Sequence, residues 1–554
     1  MSRGRAHRRA AVTPQNSGRT AAPAWGTRLR GVLIALDRAG RRRWRYPLAG
    51  AAVGAAILLT LAAAGGFPEP NVHDEFSYLL AGDTLASGRL ANPPHPLWEF
   101  FETIHVISQP SYASKYQPGQ ALFLALGQAV FGHPYFGVVI SNALLFAALG
   151  WMLQVWLSPA WGALGTALAV VSLAGGHYFG ISYWGGAPAA LGGALLLGAC
   201  RRMERDHRWR YGWLAGAAVV LLFWTRPFEG GLLSLAMAAG AAVWLRQQPR
   251  AIRGACLRRA GAPLAAVVLA GLACQFAYNR AVTGSGWVLP YMHASRQYHV
   301  VPVLWTSDVA PPKTYRDDAL HAQYAVWERL MYTELTGMPA PQRLAYLAQR
   351  LLDAVNATVP VALWLPLAFL FLRDRRMRFL LLAALGGGAA LCLETWMYPH
   401  YIAPWLPLVL LLSFSVLRGL RSVRWRARPA GAYLLAALLA ISFGTALARA
   451  ATEVHYFLHP VRMSVGRERA RIAGHLRERG GRHVVVVRYA PEHDVAREWV
   501  YNSADIDGAP VVWARDRGAR ENERLIRYFA GRRFWLFQPE ADPPRFEPYP
   551  AAGQ

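Results

Sequence analysis

The sequence predicts a mainly α, polytopic membrane protein of about eleven transmembrane helices, with a small α/β domain at its C-terminal end. Three observations predict this. Of 554 residues, 54% are hydrophobic, with 21 Trp and a mean hydropathy of +0.18, which is the composition of a chain whose solvent is lipid. Apolar runs of helix-spanning length recur between residues 47 and 449. The net charge of +27 is nearly all arginine, because Lys115 and Lys313 are the only lysines, and it falls in the short gaps between those runs.

The apolar segments lie near 47–66, 135–157, 159–177, 184–200, 212–226, 229–245, 261–278, 355–372, 379–394, 399–417 and 431–449. The stretch 119–132 reads as a short interfacial helix leading into the second span. Alternate gaps are basic: 1–46, Arg201 to Arg210, Arg246 to Arg259, Arg373 to Arg378 and Arg418 to Arg428. Positive charge stays on the cytoplasmic side. Residues 1–46 are therefore expected to be a basic cytoplasmic tail, and 47–449 the transmembrane region. Loops 67–118 and 279–353 and the domain 450–554 are expected outside. No cleavage site follows the first run, so it reads as a span and not as a signal peptide.

A pI near 10.6 invites a nucleic-acid reading, but the Arg placement orients spans instead and excludes it. Cys200, Cys256, Cys274 and Cys392 lie within or beside apolar runs, without metal-like spacing, and imply no disulfide framework. The bias to Arg, Ala and Gly suits a high-GC bacterial genome, so a bacterial inner or plasma membrane is the expected location.

Loop 279–353 contains an amphipathic pattern over Asp317–Leu335, with Ala319, Tyr324, Trp327, Leu330 and Met331 near one face. In the tail, Arg467–Arg479 and Asn522–Phe529 read as helices and Val484–Val487, Val511–Trp513 and Phe534–Phe537 as strands, a plausible independent unit. No internal repeat suggests duplicated transporter halves.

The candidate chemistry gathers at span ends on the outer side. His73-Asp74-Glu75 follows the first span. A carboxylate there can act as general base toward a poorly nucleophilic hydroxyl, or hold a divalent cation against a phosphate. The same residues also suit the first turn of a helix through Phe76, Ser77 and Tyr78. Glu99, Glu102 and His105 are spaced i,i+3, so a helix would stack them as metal ligands; a solvated polar loop is the alternative. Lys115 suits a lipid phosphate or snorkels to the interface. Arg226 can bind a phosphate or simply pair with Glu229. Arg280 follows Tyr278-Asn279, and His400-Tyr401 opens the tenth span. Together Lys115, Arg226, Arg280 and His400 make an anionic lipid headgroup a reasonable ligand. Asp505-Ile506-Asp507 matches a metal-binding triplet, but the following Gly508 makes it a turn. Asn356-Ala357-Thr358 matches a glycosylation acceptor at a span start.

These motifs resemble those of the GT-C membrane glycosyltransferases, closest to the protein O-mannosyltransferase and aminoarabinose-transferase type. Asp74-Glu75 with Tyr78 is similar to the acidic motif of that family's first outer loop. Lys115 with Pro118-Gly119 resembles its Lys-Pro-Pro element, with Gln117 in place of the first Pro. Ser182-Tyr183-Trp184, Tyr278-Asn279 with Thr283-Gly284 and Pro290-Tyr291, and His400-Tyr401 with Pro404 resemble further recurring features; His400 replaces an Arg. The resemblance covers roughly 47–420. It implies a GT-C-like fold, a polyprenyl-phosphate-linked sugar as donor and an extracytoplasmic glycan, lipid or protein as acceptor. Asp74 would be the catalytic base or acceptor-orienting carboxylate and Glu75 its partner. Lys115, Arg226, Arg280, His400 and Tyr401 would hold the donor phosphate, with His73, Tyr78, His177 and Glu229 in support. Whether a metal takes part is left open; the candidate is a divalent ion, Mg or Mn, on Asp74, Glu75 and His105. The family often has a second acidic residue in the next outer loop, and Gly175–Phe179 has none; His177 or Glu229 is the candidate substitute. Two other readings share the pattern: a lipid-linked-sugar transporter or flippase, whose charges would lie inside spans, and a non-catalytic binding protein on the same fold.

Overall fold

The computed structural model describes residues 31, 34–40, 42–368, 374–426, 428–460 and 464–550. Most of the expected basic tail, and residues 369–373 at the end of the eighth expected span, lie outside them.

Helix α1 (Arg45–Gly65) is followed by α2 (His73–Ala86), a short antiparallel hairpin of β1 (Val106–Ile107) and β2 (Ala113–Ser114), and α3 (Pro118–Phe131). The bundle continues with α4 (Tyr135–Trp156), α5 (Pro159–Leu173), α6 (Gly186–Asp206), α7 (Trp209–Thr225), α8 (Pro227–Arg246) and α9 (Arg250–Thr283). Helix α10 (Pro290–Gln297), an interrupted helix α11 over 318–337, α12 (Ala340–Thr358), α13 (Arg375–Leu391), α14 (Leu406–Leu420) and α15 (Ala430–Leu458) follow.

Among the described residues, five helices are long and apolar enough to cross a membrane: α1, α4, α8, α9 and α15. In α4 the most apolar window is 67% buried, against 17–28% in the other four. Helix α4 is therefore the centre of the bundle, packed on α1, α3, α5 and α6, while the others turn side chains such as Leu235 and Leu269 outward, as lipid permits. The close approach of α3 to α4 needs Gly137, where a Cβ would collide with the Phe123 carbonyl oxygen.

Two expected spans are remade by proline. Over 355–372 the chain is not one helix: α12 ends at Thr358, and Pro360–Leu367 is a 3-10 segment containing Pro366. Proline removes the amide donor that would continue the ladder. Over 399–417 a 3-10 turn, Pro399–Ile402, precedes α14, with Pro404 between them. Helix α9 begins earlier than expected, at Arg250, passing through a π-turn at Leu257–Gly261.

The tail forms α16 (Val465–Glu478), β3 (His483–Val487), β4 (Val511–Arg515), α17 (Ala519–Tyr528), β5 (Arg533–Gln538) and β6 (Arg545–Pro548). The sheet order is β4-β3-β5-β6; β3 is parallel to β4 and β5, and β6 pairs antiparallel on the edge. The expected helices and strands are present, and β6 is additional. One sheet face covers α16 and Trp499. The other shares a core with Phe76, Leu97, Phe100 and Val106 of loop 67–118, so the tail is not an independent unit. Arg515, 1% exposed, fixes the junction: its Nε donates to the Glu102 carbonyl at 2.8 Å, and its guanidinium lies 2.5 Å from Glu498 and 3.1 Å from Asp317. Gly466 lets α16 meet the chain entering α2, since a Cβ there would collide with the Pro70 oxygen.

Removing one partner of a buried ion pair leaves the other charge uncompensated, at a cost of about 3–5 kcal/mol. Arg515→Met should therefore loosen the junction of tail, loop 67–118 and α11. Limited proteolysis and the thermal midpoint of the purified protein measure this. Arg520, exposed at the start of α17, supplies the control: Arg520→Met is expected to leave both readouts unchanged.

Candidate active site

Loop 67–118 builds the site by folding α2 onto the hairpin. The Ser77 hydroxyl donates to the His105 carbonyl at 2.7 Å and lies 2.7 Å from the Ser114 hydroxyl. His105 adopts φ 65°, a left-handed conformation uncommon outside glycine, and its carbonyl also accepts the Lys115 amide at 3.3 Å. The hairpin thereby carries His105 and Lys115 to the first turn of α2.

Asp74 and Glu75 face different ways from that turn. Asp74 accepts the Tyr116 hydroxyl, and its other oxygen is 3.9 Å from His105 Nε2. Glu75 is buried, and accepts the amides of Asn71 at 2.9 Å and Tyr183 at 3.1 Å. The N-cap is Val72, without side-chain capping. The helix-start role expected of Asp74 therefore falls to Glu75, whose carboxylate reaches back to the preceding chain. Burial pushes Glu75 up to about 7, against the backbone amides that favour its charged form.

Lys115 is 3% exposed. Its Nζ lies over the rings of Tyr116 at 5.2 Å and Tyr291 at 5.0 Å. Burial lowers it to about 8, opposed by Asp74 and Glu328. Among the described residues it makes no ion pair at contact distance. His105 is held well below the usual imidazole range by burial, then by Lys115, His73 and His299. His73 is lowered by burial, and its Nδ1 is 2.9 Å from the Tyr501 hydroxyl of the tail.

Tyr78 stacks on Tyr116 at 4.4 Å and lies in electrostatic reach of Asp74, Arg226 and Glu229. Arg226, between α7 and α8, pairs with Glu229 at 3.5 Å and sits over the Tyr401 ring at 4.3 Å. His400 is buried, between Trp184 at 4.3 Å and Tyr178 at 5.0 Å. His177 is half-buried with its ring edge on Tyr178. The structure thus joins His73, Asp74, Tyr78, Lys115, Arg226, Glu229, Tyr401, His400 and His177 in one continuous zone. Arg280 is outside it: its side chain is exposed on the last turn of α9.

The metal expectations are not met geometrically. Residues 99–105 are not helical beyond a 3-10 turn at Trp98–Phe100, so Glu99, Glu102 and His105 do not stack. The loop is also not solvated: His95 and Glu102 are buried, and Glu102 accepts the Tyr298 hydroxyl at 2.9 Å. Glu75 is turned away from Asp74 and His105. Among the described residues there is no group of three or more His, Cys, Asp or Glu that could hold a metal ion. Asp505 accepts the Gly508 amide at 2.8 Å, and Asp507 lies 3.2 Å from His95, a turn and a strut to loop 67–118.

Four residues of the zone carry no sequence expectation: Tyr116 on Asp74, His299 beside His105, Glu328 on His299, and Glu394, in electrostatic reach of Arg226. Helix α11 buries Ala319 and Tyr324 of the expected face together with Leu320, Gln323 and Glu328, while Trp327 and Leu330 of that face point outward. An acidic residue four positions after Tyr324, on the same face, is the signal that marks Glu328. A groove among Met203, Glu204, Trp244 and Arg376 holds none of the candidate residues.

The chain is a helical bundle with loop 67–118, its hairpin and an α/β tail gathered at one end. The chain shares its fold with the crystal structure of ArnT from Cupriavidus metallidurans bound to undecaprenyl phosphate, at TM-score 0.52 and 12% identity, over 88% of this chain and 92% of that one. The apo state of the same protein matches at TM-score 0.50 and 12% identity, over 93% of each chain. No family model matches the sequence, and no curated protein matches it. The likeness lies in the fold, and it is the fold that the sequence motifs imply.

The two acidic neighbours should separate by substitution. Glu75→Ala orphans the buried Tyr183 amide, at a cost of about 1–3 kcal/mol, and should lower the thermal midpoint. Asp74→Asn keeps the Tyr116 contact through its amide oxygen and should melt close to wild type.

Proposed function

We propose that the protein is a membrane glycosyltransferase that moves a sugar from a polyprenyl-phosphate donor to an extracytoplasmic hydroxyl or amine. The observation that carries this is Lys115, a buried ammonium with two tyrosine faces and, among the described residues, no contacting carboxylate. A buried cation without a partner is costly, and an anion arriving beside it relieves that cost. Fold similarity to a structure with undecaprenyl phosphate bound supports a polyprenyl phosphate as that anion.

In this reading the donor phosphate lies between Lys115 and the Arg226–Tyr401 side of the zone. The acceptor approaches on the side of Asp74, whose carboxylate orients it or draws its proton. Attack opposite the phosphate forms the new bond to the sugar C1, inverts that carbon and expels the phosphate with its electron pair. Lys115 and Arg226 stabilise the charge that develops there. The zone sits at the ends of the spans opposite the basic gaps, which supports an extracytoplasmic reaction at a bacterial plasma membrane.

Transfer of labelled sugar from a panel of polyprenyl-phosphate donors into membrane glycan tests the reading, with Asp74→Asn expected to abolish turnover. Wild-type binding of undecaprenyl phosphate with no transfer from any donor would move the protein to the binding or flippase class. Lys115→Met should weaken undecaprenyl phosphate binding by about 1.5–3 kcal/mol, the range for a charge-assisted hydrogen bond. Lys115 is protonated below about 8 and neutral above it. Binding should therefore be strong at neutral pH and weaken as pH rises through that value, and Lys115→Met should lose this dependence.

A further inference from the structure

A carboxylate–imidazole pair on the α11 side of the zone has no part in that scheme. His299 Nδ1 lies 3.0 Å from Glu328 Oε2, and both side chains are buried. A carboxylate partner places the proton on Nδ1 and leaves the lone pair on Nε2. His299 Nε2 is itself buried and, among the described residues, has no hydrogen-bond partner.

The ring is held in place. It lies edge-on to Tyr324 at 4.6 Å and near-parallel to Tyr291 at 5.9 Å. It is also parallel to the His105 ring at 6.3 Å, and His105 is the residue that reaches Asp74. Lys115 lies in electrostatic reach of both Asp74 and Glu328. The cation assigned to the donor phosphate is therefore under the influence of two carboxylates, one from α2 and one from α11.

We infer that His299, oriented by Glu328, is the general base of the transfer, and that Asp74 orients the acceptor. The inference rests on the glycosyl-transfer reading and deepens it. The acceptor O–H or N–H proton moves to His299 Nε2 as the acceptor atom bonds to C1. The C1–O bond breaks with its electron pair going to the departing phosphate. Glu328 stabilises the imidazolium through its contact with Nδ1 and is a positioning residue, because it acts through His299. Burial lowers His299 while Glu328 raises it, with Lys115 and Lys313 opposing; His105, Tyr291 and Tyr324 complete its surroundings. The neutral, proton-accepting form is then present at neutral pH.

The test uses the full-length protein in lipid nanodiscs, with undecaprenyl phosphate binding and transfer from the donor panel measured across pH. His299→Asn is expected to leave binding within about twofold and to cut transfer on the order of 100-fold or more, the usual contribution of a general base. It should also remove the fall in rate at low pH. Glu328→Gln is expected to keep reduced transfer and to shift that fall to lower pH, because the charge favouring the imidazolium is gone; Glu328→Asp should recover part of the loss. Thermal midpoints establish that each variant is folded, and if His299→Asn is not, the shift in Glu328→Gln decides. Wild-type rates and an unchanged pH profile in Glu328→Gln and His299→Asn would overturn the assignment while the transferase reading stands. A wild type that neither binds undecaprenyl phosphate nor transfers from any donor would overturn both.

Discussion

Charge withdrawn from water has to be paired, hydrogen-bonded or neutralised, and this constraint organises the end of the molecule that holds the candidate site. Most of its charges are settled locally. Glu75 is settled by two backbone amides, Arg226 by Glu229 and the face of Tyr401, and Arg515 by Glu498, Asp317 and a carbonyl. Among the described residues, four groups of the zone are not settled in this way. Lys115 meets only aromatic faces, and His299 Nε2, His400 Nδ1 and Glu394 Oε1 have no hydrogen-bond partner. Lys115 and His299 both act on His105, which lies 3.9 Å from Asp74. A fold that pairs the other charges and leaves these groups open has concentrated unsatisfied chemistry at one place, which is what a preorganised reaction site requires.

The same constraint explains the attachment of the tail. Region 67–118 carries α2 and the hairpin, joined by irregular chain. Its Phe76, Phe100 and Val106 share a core with Val484, Val486 and Val512 of the sheet. Tyr501 stacks on Phe76 at 4.2 Å and meets His73 at 2.9 Å. Asp83 accepts the Ala504 amide at 2.8 Å. The tail is therefore part of the scaffold that fixes where Asp74 and Lys115 stand, and Arg515 extends that scaffold to α11 through Asp317.

Legibility in the sequence followed the strength of local signals. Long apolar runs such as Arg45–Gly65 and Tyr135–Trp156 and the valine strands of the tail were plain, because period and composition alone specify them. The proline-broken segments at 355–372 and 399–417 read as spans because hydropathy averages over the missing donors. Asp74, Lys115, Arg226 and His400 were legible as polar residues at span ends. Their union was not, because it depends on contacts such as His105 with Asp74 and Tyr116 with Asp74. Glu328 was hidden by counting the apolar face of α11 with Trp327 and Leu330 included. The buried face runs through Leu320, Tyr324 and Glu328, and the tertiary environment, not helix periodicity, decides which stripe turns inward.

That relocation matters for how function is read from such folds. At 12% identity a shared architecture does not carry a shared set of catalytic residues. The expectation of a second acid in loop Gly175–Phe179 came from resemblance, and the sequence there has only His177. What a polytopic scaffold holds constant is the position of the outer zone between the span ends and the covering loops. Any element lining that zone can present a carboxylate to it. Glu328 of helix α11 is buried against an imidazole whose other nitrogen has no partner among the described residues. Chemistry that a motif search would count as missing can be retained by the geometry when its residue moves to a different segment.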